Sequence, residues 1–314
     1  MNAEATMKAS VLTPTERDDF LKHKGYLLIP DALSPDVVER ARAAVDRLAS
    51  GGTKPGQISI NIADILGKDD AFLDLIDCPR VLPKIWGILG WNIWVQHSHL
   101  VVNPPVKTAT GMRDPNEAFN YGWHRDGGAI NRDVRLNAPL LIKVGYYLTD
   151  VAIDGGPTLM LDDADPNAAI PAPTELPSNV RPMVVKAGAA VLFSNRSIHS
   201  LKSPNRSDQT RRSVFIQYGY RWIQSLDRSS VSHLADRVSD VRKQLLGLTT
   251  TFTSEKYKGS EGRSGRFVPG HEDVPLFSFI KELLGPDAET YCGRSLSDSE
   301  LRAPATSDSA GTDY

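Results

Sequence analysis

The stretch Trp123-His124-Arg125-Asp126-Gly127-Gly128 holds a histidine and an aspartate separated by one residue. On a strand, residues two apart point to the same face, so this imidazole and carboxylate can reach one metal ion together. Two ligands hold a metal poorly, and a third must come from elsewhere in the chain. His199 is the best candidate, because it follows the apolar, strand-like run Ala190-Val191-Leu192-Phe193 and opens a polar turn. Two histidines and one carboxylate leave coordination positions open for other molecules, the pattern of non-haem Fe(II) sites that use dioxygen. Arg211 then opens the run Arg212-Ser213-Val214-Phe215-Ile216-Gln217-Tyr218. A guanidinium there can fork onto the far carboxylate of an oxo-diacid with two parallel hydrogen bonds. Each piece is common by itself; the informative observation is their order on a β-rich chain.

The elements that must position these residues are mainly strands with flanking helices. Thr13-Pro14-Thr15-Glu16 is a capping box with proline at the first helical position, and its helix is expected to run to about Lys24. Tyr26-Leu27-Leu28-Ile29 reads as a short buried strand. Ser34-Pro35 starts a helix with Val38, Ala41, Val45 and Leu48 on one face, ended by Gly51-Gly52. Residues 70–90 read as helical. From Trp91 to Val102 the chain is rich in aromatic and β-branched residues, which favours a strand. Further strands are expected around 121–125, 140–149, 157–161, 182–186, 189–194 and 212–222, separated by Gly, Pro, Asn and Asp clusters. Val231, Leu234, Val238, Val241 and Leu245 recur at helical spacing, and a last helix is expected near Leu276 to Leu284. Many short strands without intervening helices point to an antiparallel sandwich or barrel rather than to parallel βαβ units. The expected organisation is one domain over 1–285: a helical part at 13–90, a β core at 91–222 and a helical part at 230–285. Residues 286–314 are polar and read as a disordered tail.

Composition narrows the function classes. The 314 residues are 40% hydrophobic and 24% charged, with a net charge of -2. This is ordinary globular composition. No broad basic field exists to hold nucleic acid, and no apolar stretch is long enough to span a membrane. Met1 to Leu12 lacks the apolar run of a signal peptide. Cys78 and Cys292 stand far apart and fit neither a disulfide framework nor a zinc site, so a reducing, cytoplasmic setting is expected.

The order and local wording of these motifs resemble the phytanoyl-CoA dioxygenase family from about Thr13 to Trp222. Thr13-Pro14 through Phe20, Gly25-Tyr26-Leu27-Leu28-Ile29-Pro30 and Ser34-Pro35 are similar to its opening. Trp123-His124-Arg125-Asp126 is similar to its metal motif. Leu148-Thr149-Asp150 through Asp154-Gly155-Gly156 is similar to the strand and turn that follow. Ala187 to Phe193 with His199, and Pro204-Asn205-Arg206-Ser207-Asp208 with Arg211-Arg212-Ser213, are similar to its second metal strand and its oxoglutarate-binding stretch.

The resemblance implies a double-stranded β-helix, that is, a cupin-like jelly roll with helices packed on one sheet. It implies Fe(II) held by His124, Asp126 and His199 as catalytic and metal-binding residues, with 2-oxoglutarate as co-substrate and dioxygen as oxidant. Arg211 would hold the co-substrate, and strand alternation then sends Arg212 outward. His99 falls where relatives touch 2-oxoglutarate. The implied reaction is hydroxylation, or a related desaturation or ring closure, at an unactivated C–H of a small organic molecule, with release of succinate and CO2. Asp126 fits hydroxylation rather than halogenation, since related halogenases lack that carboxylate. Two departures stand out: Leu161-Asp162-Asp163-Ala164-Asp165 replaces the usual Pro-Gly-Ser-His stretch, and Leu201 replaces a serine common in relatives. Both leave the metal and arginine motifs intact, and an acyl-CoA substrate does not carry over.

Other residues read more modestly. His97 and His99 form a His-x-His, taken as lining for the pocket rather than as a second metal pair. Trp123, Tyr146, Tyr147 and Trp222 are candidates for the pocket wall, with core packing as the commoner role. The loops Pro104 to Tyr121 and 250–272 have the length and composition of covers. Two other functions use the same frame: a metal-dependent, cupin-like isomerase or epimerase that needs no dioxygen, and a non-catalytic binding protein.

Overall fold

A computed structural model of the protein describes residues 2–53, 57–106, 120–127, 139–163, 165, 167–201, 203–249 and 274–288. The strands in chain order are β1 (Tyr26–Ile29), β2 (Ile60–Ala63), β3 (Ile93–Asn103), β4 (Leu141–Tyr147), β5 (Leu159–Leu161), β6 (Val180–Pro182), β7 (Ala190–Ser194), β8 (His199–Ser200) and β9 (Arg211–Tyr220). They form a six-stranded antiparallel sheet, ordered β1-β7-β4-β9-β3-β2, and a three-stranded sheet, ordered β6-β5-β8. The expected class, mainly antiparallel β with flanking helices on a jelly-roll plan, is what the chain adopts, and the two sheets do not close into a barrel.

β4 shows why the molecule is layered. Every residue of this strand is buried, so it must have protein on both faces. Successive side chains alternate between those faces. Ile142, Val144 and Tyr146 join the main core, which includes Val214, Ile216 and Tyr218 of β9 and the apolar sides of the helices. Tyr147 turns the other way, into a smaller core with Met160 of β5, Val191 and Phe193. The large sheet thus lies between a helical layer and the small sheet.

The helices meet the sequence expectations in most places. Thr13 caps α2 (Pro14–Asp18) through a complete capping box with Glu16, and the helix continues as a wider π-turn over Asp19–His23. α3 (Pro35–Leu48) buries Val38, Ala41, Ala44 and Val45. Proline opens α5 (Leu82–Leu89), and Gly90 ends it with φ of 77°. A first helix, α1 (Ala3–Ala9), capped by Asn2, was not expected from the sequence, and neither was β2.

Three expectations need correction. The periodic apolar run at 231–245 is not one helix: a 3-10 turn at Ser232–Leu234 precedes α6 (Asp240–Leu245). Ser239 accepts a hydrogen bond from the Arg242 amide and starts a new helix there, overriding the periodicity. The strand expected at 121–125 reduces to one bridge at His124, because Gly122 takes φ of 60° and breaks the extended run. The strand expected at 182–186 lies earlier, at β6, and Val185 keeps only a bridge to Val151. The last helix, α7 (Pro275–Leu284), lies where expected. Most of the two expected covers, 107–119 and 250–273, and the tail from 289 onward lie outside the described residues. Among the described residues no helix is long and apolar enough to cross a membrane.

Ile216 is fully buried at the centre of the large sheet. Ile216→Ala is expected to lower unfolding free energy by about 2–5 kcal/mol, from lost burial plus the cavity left behind. Val184, which is 53% exposed, should change stability by less than about 0.5 kcal/mol when replaced by Ala. Urea unfolding of the two variants beside the parent checks both.

Candidate metal centre

The site lies between the two sheets and begins with the backbone. The His124 amide donates to the His199 carbonyl at 3.1 Å, and the His199 amide returns a bond to His124 at 3.0 Å. This pair joins the isolated extended residue 124 to β8. It brings the two imidazoles to a centroid distance of 4.3 Å. Asp126 follows in the turn ending at Gly127, whose φ is 88°. Its Oδ1 lies 3.9 Å from His124 Nε2, and its Oδ2 lies 3.8 Å from His199 Nε2. One ligand atom from each of the three residues falls within 4.8 Å of the others, a grouping able to hold a metal ion.

The tautomers suit that use. His124 Nδ1 lies 2.9 Å from the Gly122 carbonyl, and His199 Nδ1 lies 3.1 Å from the Ser197 carbonyl. A carbonyl can only accept, so each Nδ1 carries the proton and each Nε2 presents a lone pair. His199 Nε2 is buried and has no hydrogen-bond partner. A buried imidazole nitrogen left in this way is what an absent metal ion would satisfy. Burial pushes His199 down to about 4 against the pull of Asp126, so the ring is neutral at pH 7. Burial acts to raise the Asp126 carboxyl, but His199, Lys143 and His124 outweigh it and hold the group at about 2.

Lys143 was not singled out in the sequence. It projects from β4 with only 9% of its side chain exposed, and its Nζ lies 2.8 Å from Asp126 Oδ2. The signal was present, since one lysine interrupts the apolar run Leu140-Leu141-Ile142-Lys143-Val144. Lysine is seldom buried without a partner.

Arg211 opens β9 and is 1% exposed. Its Nη1 donates to the Gly156 carbonyl and its Nη2 to the Leu201 carbonyl at 3.5 Å, while Nε is buried without a partner. No carboxylate among the described residues pairs with it. Burial draws its pKa below the ordinary value, and nearby Tyr147 opposes this. Arg212 turns the other way and bonds Asp46 at 2.6 Å. Gly156 fits because φ is +68° and a Cβ there would stand 2.7 Å from the Ser203 carbonyl.

β3 supplies the histidines through a bulge. Register shifts between Val95 and His97, so Ile93 and Val95 face the helical core while His97 and His99 face the site. His99 stacks on Phe215 at 5.1 Å and on His97 at 5.0 Å. His97 Nδ1 bonds Asp227 at 2.8 Å, and the same carboxylate accepts from the Ser98 amide at 3.0 Å. Asp227 also lacked any sequence signal, being remote along the chain. Of the proposed wall aromatics, Tyr147 faces the site side and bonds Thr158 at 2.8 Å. Tyr146 lies in the helical core, bonded to the Leu75 carbonyl at 2.8 Å. Trp123 packs with Leu159, Leu161 and Ile198, and Trp222 is 68% exposed. A groove of about 630 Å³ lined by Tyr121, Pro157, Leu159, Leu176 and Arg206 does not include the three clustered residues.

Burial lowers His99 from 6.5 to about 3, with Lys143 and His97 adding to the effect. Between those values the unfolded chain binds a proton that the folded protein refuses, so stability falls as pH drops through this window. In metal-free protein, His99→Leu is expected to lose less stability than the parent between pH 7 and pH 5. Urea midpoints at the two pH values measure the difference.

Comparison with known proteins supports the same frame. No curated protein matches the chain by sequence. Among solved structures, HygX from Streptomyces hygroscopicus with nickel, 2-oxoglutarate and hygromycin B bound is similar at TM-score 0.53 and 16% identity, over 70% of this chain and 93% of that one. Apo HygX is similar at TM-score 0.52 and 15% identity, over 73% and 95%. The non-haem α-ketoglutarate-dependent epimerase SnoN from nogalamycin biosynthesis aligns at TM-score 0.48 and 17% identity, over 69% and 80%. For HygX, at such identities, the likeness speaks to fold. The family model described as phytanoyl-CoA dioxygenase (PhyH) matches residues 21–213, more than half of the sequence, and the chain belongs to that family.

Proposed function

We propose that this protein is an Fe(II)- and 2-oxoglutarate-dependent oxygenase that hydroxylates, desaturates or cyclises a small organic substrate. His124, Asp126 and His199 hold the iron through the two Nε2 atoms and one carboxylate oxygen. The observation that carries the co-substrate is Arg211: a fully buried guanidinium whose described partners are carbonyls. A buried cation without an anion is strongly unfavourable, and the distal carboxylate of an oxo-diacid would complete it. His99 lies near Lys143 and Asp126 and contributes a neutral ring to the wall there.

Fe(II) bound with the oxo-diacid supplies, with dioxygen, an oxidant able to attack an unactivated C–H bond, releasing succinate and CO2. The protein's own residues perform the positioning. The carbonyls of Gly122 and Ser197 keep both imidazoles in the ligating tautomer. Arg211 fixes the co-substrate's far end. HygX shares this fold and holds hygromycin B; a small organic molecule is the corresponding substrate class here.

Substrate candidates screened under air with Fe(II) are expected to stimulate succinate formation from 2-oxoglutarate, and His124→Ala or Asp126→Ala should abolish it. Arg211→Met is expected to raise the 2-oxoglutarate requirement by roughly one to two orders of magnitude, the loss of one or two charge-assisted hydrogen bonds. Anaerobic addition of Fe(II) and 2-oxoglutarate should give a visible charge-transfer band. No band and no succinate would exclude the oxygenase, and turnover that persists without dioxygen would indicate an isomerase.

A further inference from the structure

Among the described residues, Lys143 is the buried cation of the site to which the oxygenase reading gives no task. Its ammonium sits 2.8 Å from Asp126 Oδ2, with 9% and 12% of the two side chains exposed. Oδ2 also lies 3.8 Å from His199 Nε2 and Oδ1 3.9 Å from His124 Nε2, so the ammonium touches a carboxylate whose two oxygens both border the metal position. A divalent ion entering there meets a cation already seated on its only anionic ligand. In a partly dry site such like-charge proximity is weakly screened. Local room also bears on this. Across β9 and β7, Lys143 faces Gln217 and Phe193, neither of them an anion, and among the described residues Asp126 is the one carboxylate within ion-pair distance of it. Gly145, the next residue on the same face, carries no side chain and leaves space filled by the Phe215 ring.

Counting Lys143, Arg211 and Asp126 alone, two cations and one anion give one positive charge before any metal arrives. A divalent metal raises it to three, and an oxo-diacid returns it to one. A carboxylate bound to the same ion would be a neighbour of Asp126 in the coordination shell. The flexible four-carbon stem of lysine can follow that second anion with a small swing.

Resting on the oxygenase reading, we infer that Lys143 couples metal retention to the co-substrate: it neutralises Asp126 in the empty site and turns to the metal-bound carboxylate of 2-oxoglutarate in the loaded one. Coupling of this kind is reciprocal, so each ligand tightens the other by the same factor. The bare site is thereby kept a weak metal binder, and the dianion restores affinity.

The test measures Mn(II) affinity by the EPR signal of free Mn(II), with and without saturating 2-oxoglutarate, in the parent, Lys143→Met and Lys143→Arg. In the parent, 2-oxoglutarate is expected to tighten Mn(II) binding strongly. In Lys143→Met, that tightening factor should shrink about tenfold, chiefly because bare-site affinity rises, and Lys143→Arg should restore most of it. Any contribution of Lys143 to holding Asp126 in place is common to both measurements and cancels in the ratio. Circular dichroism and a metal-induced rise in melting temperature establish that each variant is folded and binds. An unchanged ratio in Lys143→Met overturns the role of Lys143 while leaving the oxygenase intact. A parent protein that binds no Mn(II) overturns both.

Discussion

Two backbone hydrogen bonds between residues 124 and 199 are what the site depends on. Among the described residues they are the one ladder that holds the His-x-Asp segment against β8, since residue 124 pairs as a single bridge. The glycines on either side take positive φ, at Gly122 and Gly127, so the chain enters and leaves this contact by sharp turns. A longer strand would have directed the residues onto a regular pleat. The short bridge instead lets Asp126 swing back toward both imidazoles. The Gly122 carbonyl, placed by the first of those turns, also sets the His124 tautomer. One local geometry therefore fixes the ligands' positions and their protonation.

Around that contact, charge is distributed unevenly. Several cations elsewhere among the described residues are paired with acids: Arg242 with Asp74 and Asp77, Arg212 with Asp46, Arg40 with Asp36 and Asp74. Among the described residues Arg211 is the one fully buried arginine, and it is held by carbonyls. Burying an ion without an opposite charge is unfavourable by several kcal/mol. Such an arrangement persists where a ligand completes it. The Gly155–Gly156 turn shows how it is supported: Gly155 bridges to Asn205, and Asn205 ties in turn to Asn103 at 2.8 Å. The carbonyl that receives Arg211 is thus fixed from two sides.

The clustered side chains were more legible in the sequence than their surroundings. His124, Asp126 and His199 do lie together, but through a single bridge at residue 124 and a turn at Asp126, where the His-x-Asp reading had assumed a strand. Arg211 could be separated from Arg212 because alternation on a strand offers only two faces. Asp227 could not be found, since its bond to His97 spans distant parts of the chain and nothing local marks an aspartate in a loop. The register shift at Gln96 was equally silent, although it alone puts His97 and His99 on the site face. The apolar repeat at 231–245 misled because it measures which side is buried, whereas continuity of a helix is decided by caps such as Ser239. β2 was overlooked since four residues of half-buried strand leave little pattern to read.

Register ties stability to the chemistry. A slip of one residue on β4 would move Lys143 and Tyr147 into the helical core and Tyr146 into the site. Two buried phenols oppose that slip. Tyr146 donates to the Leu75 carbonyl and Tyr218 to the Ile76 carbonyl, each at 2.8 Å, at the end of α4 (Leu73–Ile76). Those carbonyls are helix-terminal acceptors that need outside donors. The two strands that carry Lys143 and Arg211 are therefore held in phase from the opposite face of the sheet, by groups that touch neither. Loosening α4 should be felt between the sheets before the sheet itself melts, because the phenols lock the phase that ladder hydrogen bonds leave degenerate.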